Sequence, residues 1–228
     1  MEYRGECQRA RWQPQRTIPT AVKWSESMPT DYDTYANCMK RIRNRLDVVD
    51  QVLFGKIATN NQSDLMAEII FIQFRKSLEE MAFASLSANK DVYSAVHAKF
   101  SGHWRANDML DEIKKVNPGF YPIAAQPPKE TSPGIKHFDR LEDGFLTRDE
   151  FAKLYKHSSE VLHTRNPYKE GDPTINIGYT VQEWAARFRN LIRWHFITLV
   201  DGNGVLGWVP DEGSVHAYPS AAIPIIGE

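Results

Sequence analysis

Cysteine is almost missing from this chain: Cys7 and Cys38 are the only two in 228 residues, in unlike contexts and without a second Cys/His cluster. That excludes a disulfide framework and offers no zinc-site spacing, so no metal is expected and a reducing compartment fits. Long apolar runs are missing too. No segment approaches the ~20 apolar residues of a membrane span, and the charged N-terminal stretch has no apolar run after it. Neither a leader nor a membrane partner is expected, and the cytoplasm is the expected compartment. An excess of either charge is also lacking. With 28 Lys and Arg against 29 Asp and Glu, nothing global marks a nucleic-acid or membrane binder, and any such surface must be local. Internal repeats are absent, which excludes a solenoid.

What is present is the balance of an ordinary globular protein, 42% hydrophobic, 25% charged and 11% aromatic. The length predicts one domain with a substantial core. Residues 1–30 set Arg4, Arg9, Arg11 and Arg16 among Tyr3, Trp12 and Trp24 without helical period, and are read as an extended arm. From there, residues 31–228 are read as a single helical domain. Tyr35, Met39, Ile42, Leu46, Val49 and Leu53 alternate steps of four and three, which predicts a first helix stopped at Gly55. Ala67, Phe71, Phe74, Leu78 and Met81 predict a second over about 63–87, with a further row of Leu65, Ile69, Ile72 and Phe83. Short helices are expected over residues 92–100 and 110–116.

Pro118, Pro122, Pro127, Pro128 and Pro133 make residues 117–137 an irregular loop in this reading. Thr147 to Glu150 and Thr180 to Glu183 are capping boxes, in which threonine and glutamate satisfy each other's backbone N–H groups. The first opens a helix with Phe151, Leu154, Tyr155, Ser158 and Leu162 on one face. The second opens a helix carrying Val181, Trp184, Phe188, Ile192, His195 and Leu199. Phe196 to Val200, Asp201-Gly-Asn-Gly204, and Val205 to Val209 have the chemistry of a β-hairpin. The expected fold is therefore mainly α: a bundle of about five to six helices with a small C-terminal hairpin.

Two segments carry a resemblance. Phe74-Arg-Lys-Ser-Leu-Glu-Glu-Met-Ala-Phe-Ala-Ser-Leu-Ser-Ala-Asn89 places Arg75 and Glu79 one turn apart, and Leu154-Tyr-Lys-His-Ser-Ser-Glu-Val-Leu-His163 carries a tyrosine, a small polar pair and a terminal histidine. With Thr164-Arg-Asn-Pro167 after them, they resemble core helices of HEPN-type proteins, over roughly residues 34–168. Asn117-Pro-Gly-Phe-Tyr-Pro122 and Leu162-His-Thr-Arg-Asn-Pro167 are also similar to a narrower bacterial family, which brings no activity with it.

The HEPN resemblance implies a cofactor-free protein that acts on or binds RNA, in its nuclease members a metal-independent endoribonuclease in stress or phage defence, with the active site across a homodimer. Its motif is an arginine, a polar residue, and a histidine a few residues on. Histidine handles the proton of the 2′-hydroxyl or leaving group, and arginine holds the phosphate. Two stretches compete for the role. His163 with Lys156, His157, Arg165 and Asn166 sits where the helix order favours it; Lys156 and His163 share a helix face. Lysine stands in for arginine there, and a point charge cannot make the planar two-pronged contact of a guanidinium. Arg189, Asn190 and His195 satisfy the motif literally, but about 120° of helix separates the pair, and a satisfied core histidine is the competing reading. The lysine favours the alternative function, a catalytically inactive helical module that binds a partner protein, as in toxin and antitoxin pairs.

Other patterns have plainer readings. Lys40, Arg41, Arg43 and Arg45 could track an RNA backbone, though charges so spaced usually form a solvated helix face. Asp139 to Glu150 has some calcium-loop positions, but Leu141 occupies the third ligand place, and a glycine turn into a capped helix explains the same residues. Asp201-Gly-Asn-Gly204 is a turn, not a nucleotide fingerprint. Ser158 and Ser159 beside His157 lack the elbow of a hydrolase nucleophile. Trp184, Trp194 and Trp208 are read as core packing, with a ligand platform as the competing role.

Overall fold

The computed structural model describes residues 30–58, 62–88, 111, 114–115, 117–163, 176–199 and 203–220. Residues 1–29 of the arm and the short helix expected over 92–100 lie outside the described residues. So does that over 110–116, save Asp111, Lys114 and Lys115, which are helical.

Two long antiparallel helices open the fold. In α1 (Thr30–Leu53) the row Tyr35, Met39, Ile42, Leu46 and Val49 is fully buried, as its spacing predicts. Its end is built by Gly55 at φ +68°, a left-handed conformation that costs glycine least. There the Lys56 N–H reaches the Gln51 carbonyl at 2.7 Å and the Gly55 N–H reaches Val52 at 3.1 Å, the paired bonds of a Schellman stop. In α2 (Ser63–Ala88) Ile70, Phe71, Phe74, Leu78 and Met81 are buried, because α1 packs on one side and a later helix on the other. Its first turns are covered less, and Leu65 and Ile72 stay 39% and 41% exposed.

The segment 117–137, expected as an irregular loop, contains three short strands: β1 (Ile123–Ala124), β2 (Lys129–Ser132) and β3 (Ile135–His137). Pro122, Pro127 and Pro128 sit at strand ends, and Pro118 and Pro133 sit in turns with the glycine that follows each, where no ladder donor is needed. β2 and β3 form their own antiparallel pair. After them come α3 (Arg148–Leu162) and α4 (Val181–Arg193), both opened by the capping boxes read from the sequence. The backbone N–H of Glu150 donates to Thr147 Oγ1 at 3.3 Å and that of Glu183 to Thr180 Oγ1 at 3.2 Å.

The C-terminal part overturns the helical-bundle expectation. Helix α4 ends at Arg193 and passes directly into β4 (Trp194–Thr198), which pairs with β5 (Gly204–Trp208), itself paired with β6 (His216–Ser220). With β1 they form a four-stranded antiparallel sheet of order β1-β4-β5-β6. The fold is thus mixed α and β, with four helices and two sheets among the described residues. The hairpin is where turn chemistry puts it, but His195 lies on a strand rather than on the helix row. The extra strands are short: β1 has two residues, and Pro219 gives β6 the look of a non-strand.

Strand alternation gives the sheet two unlike faces. Ile197, Val205 and Ala217 join the main core with α1 to α4. Phe196 and Leu206 form a smaller cluster on the other face with Phe138 and Ala125, flanked by Trp194 and Ile123. Asn117 ties the sheet to the segment before it. Its Nδ2 donates to the Thr198 carbonyl at 2.6 Å, and its Oδ1 accepts from the Gly119 N–H at 3.0 Å. Gly119 itself must be small, since a Cβ there would lie 2.9 Å from Thr198 Cβ.

Candidate functional site

The two segments that carry the resemblance meet at the seam between α2 and α3. Tyr155 and Ser159 are one turn apart on α3, and His163 caps that helix one turn further on. Facing them from α2 is Arg75. Its Nη1 donates to Ser159 Oγ at 3.2 Å and its Nη2 to the Tyr155 hydroxyl at 3.4 Å. Its Nε donates to Glu79 Oε1 at 3.3 Å, and the guanidinium lies 5.1 Å from the centre of the Tyr155 ring. A guanidinium carries five N–H donors, so three bonds leave it capacity for an anion. Its side chain is one-third exposed (33%), enough to reach solvent.

His163 is exposed at the end of this row. Lys156 projects from α3 with its Nζ 3.7 Å from Glu160, and His157 Nδ1 lies 3.2 Å from the same carboxylate. Arg165 and Asn166 lie outside the described residues. The seam therefore carries a guanidinium, bonded to Ser159 one helical turn before His163, that the α3 segment lacks. Its source is Arg75, a residue of the resemblance that the α3 sequence cannot nominate, because which helix faces meet is a tertiary fact.

The competing stretch is dispersed. His195 is fully buried; its Nε2 lies 2.7 Å from the Tyr35 hydroxyl and its Nδ1 2.9 Å from the Ile192 carbonyl. A carbonyl can only accept, so Nδ1 carries the proton and Nε2 accepts from Tyr35. Burial drives the His195 pKa down to about 4 and holds the Tyr35 phenol well above its ordinary value. Gly207 lies flat against the ring, and a Cβ there would come within 2.1 Å of His195 Cε1. Arg189 is held elsewhere, by Asp50 at 2.9 Å and Asp47 at 3.4 Å. Asn190 donates to the Gly144 carbonyl at 2.8 Å. His195 is a satisfied core histidine.

Arg189 instead lines a cleft of about 220 Å³ with Arg43, Arg193, Asp47, Asp50 and Asp211. Arg193 pairs with Asp211, and Arg43 donates to the Pro210 and Gly213 carbonyls at 3.1 and 2.9 Å. The arginines thus clamp α1, α4 and the turn before β6 together. The rest of the α1 basic run points elsewhere: Arg41 pairs with Glu80 at 2.8 Å, Arg45 bonds Gln73 at 3.2 Å, and Lys40 is exposed. Cys38 is buried and free, its thiol pushed up to about 11 chiefly by burial.

The residues of the calcium-loop pattern are committed to other partners. Asp139 takes Lys129 at 2.7 Å and His137 at 3.0 Å. Glu150 accepts from the Thr147 N–H at 2.9 Å, the Tyr179 hydroxyl at 3.0 Å and both arms of Arg187 at 2.6 and 3.2 Å. Burial pushes its pKa up, but these donors outweigh it and the net shift is downward. Among the described residues no group of three or more His, Cys, Asp or Glu is placed to hold a metal.

The tryptophans divide. Trp184 is core, its indole N–H donating to the Ile177 carbonyl at 3.0 Å. Trp194 and Trp208 stack across β4 and β5 at 5.0 Å and 7°, and the series continues through His216 at 5.3 Å to Tyr218 at 5.6 Å. The rings spend their faces on one another, which suits cross-strand stabilisation better than a platform for flat ligands.

No protein family, curated protein or solved structure matches this chain. No helix among the described residues is long and apolar enough to cross a membrane.

Proposed function

We propose that this chain is a HEPN-like protein that acts on RNA at the α2–α3 seam, with Arg75 holding the phosphodiester and His163 carrying the proton. One observation supports this reading above the rest. The Arg75 guanidinium is fixed on Tyr155 and Ser159, and the helix that carries them ends one turn after Ser159 at the exposed His163. A planar cation can take two oxygens of a phosphodiester at once, which Lys156 cannot. In cleavage, the 2′-hydroxyl would attack the adjacent phosphorus and expel the 5′-oxygen. His163 would take up the attacking proton, water would protonate the departing 5′-oxygen, and Arg75 would face the charge gathering on the phosphoryl oxygens.

The test is incubation of the purified chain with structured and unstructured RNA in chelator. Expected are fragments ending in 2′,3′-cyclic phosphate, lost in His163→Ala while binding persists, and weakened binding in Arg75→Ala. RNA left both uncut and unbound would refute the proposal. A second reading, a catalytically inactive module docking a partner protein, is favoured by Glu79 and Glu160, which between them engage Arg75, Lys76, Lys156 and His157. On that reading RNA stays intact, and His163→Ala changes nothing.

A further inference from the structure

Both cations on the α2 side of the seam are turned onto one carboxylate. Arg75 Nε donates to Glu79 Oε1 at 3.3 Å, and Lys76 Nζ lies 3.1 Å from Glu79 Oε2. Each carboxylate oxygen thus holds one cation, and Glu79 is the most enclosed of the three, its side chain 17% exposed against 33% for Arg75 and 49% for Lys76. A carboxylate and a phosphodiester make the same demand on a cation: one negative charge and two acceptor oxygens. Resting on the reading above, we infer that Glu79 is a built-in competitor for the RNA phosphate, holding Arg75 and Lys76 until a phosphodiester replaces it.

The exchange is inexpensive for two reasons. Ion pairs this close to solvent each contribute little, so a phosphate need only match a weak partner. The hydroxyls of Tyr155 and Ser159 also keep the guanidinium in place when Glu79 lets go, since neither bond depends on the carboxylate. Glu79 therefore sets how tightly RNA is held, and Arg75 sets whether it is held. Its charge, one helical turn from Arg75, also repels an arriving phosphate directly.

The experiment measures binding of a short fluorescein-labelled oligouridylate to the full chain by anisotropy, from about 50 to about 300 mM salt. Glu79→Gln keeps the shape of the side chain and removes its charge. It is expected to bind about fivefold tighter at low salt, as loss of one charge near a partly exposed phosphate allows. The dependence of log K on log salt should also steepen, since a freed cation adds roughly 0.7 to the slope for a single strand. Glu79→Asp keeps the charge and should stay near the parent, and Glu79→Ala gives the same readout through a different side chain. Adding Arg75→Ala and Lys76→Ala to Glu79→Gln should erase most of the gain. If Arg75→Ala weakens binding while Glu79→Gln and Glu79→Ala match the parent in affinity and salt slope, the competitor role is overturned and the site stands. If Arg75→Ala has no effect, the site falls and the competitor with it.

Discussion

Acidification should destabilise this protein through a buried ring that the fold keeps neutral. His195 is fully buried and neutral, with its pKa lowered to about 4, whereas an unfolded histidine titrates near 6.5. Below about pH 6.5 the unfolded chain takes up a proton that the fold refuses, so the stability from this site is complete above that pH. It is lost as pH falls, and the loss levels off below the folded value. A difference of about 2.5 pKa units sets a ceiling of roughly 3.4 kcal/mol, of which about 2 kcal/mol is lost by pH 5. The assay is urea unfolding followed by circular dichroism at neutral pH and at pH 5, for the parent and for His195→Gln. The variant should be less stable at neutral pH, because Tyr35 and the Ile192 carbonyl lose their fitted partner, yet much flatter in its response to acid. An equal loss of stability in both proteins between pH 7 and 5 would refute the reasoning.

Gly207→Ala should be strongly destabilising, by about 3 kcal/mol or more, since the added methyl meets the His195 ring and the overpacked sheet must shift; thermal melting measures it. Glu150→Gln should cost about 1–3 kcal/mol, because Arg187 loses a charged partner while still largely enclosed. The pKa of Glu150 is held down in the fold, so its contribution is present above the unfolded carboxylate range and lost as pH falls through the folded value. Comparing the acid limbs of parent and variant checks both points. Trp208→Ala should cost about 1–3 kcal/mol by removing a half-buried ring stacked between Trp194 and His216; chemical denaturation is the readout.

The helices were legible because their signals are local. The α1 row and both capping boxes are read from spacing and from threonine–glutamate pairs, and each recurs in the coordinates. The sheet was half legible. Asp201-Gly-Asn-Gly204 marks a turn, but β6 disguises itself with Pro219 and β1 has only two residues, so their pairing rests on partners far along the chain. His195 looked helical by period. Its true position depends on α4 ending at Arg193, where an apolar run continues without a break in composition. At the seam, spacing put Lys156 and His163 on one helix face, while the approach of Arg75 from α2 to Tyr155 and Ser159 is a packing outcome that no spacing contains.

The junction of α4 and β4 has a mechanical consequence. Arg193 is the last helical residue and Trp194 the first of the strand, with no linker between them. A rod and a ribbon joined so directly leave no spare residue to take up a change of angle, so the direction of α4 fixes where β4 enters the sheet.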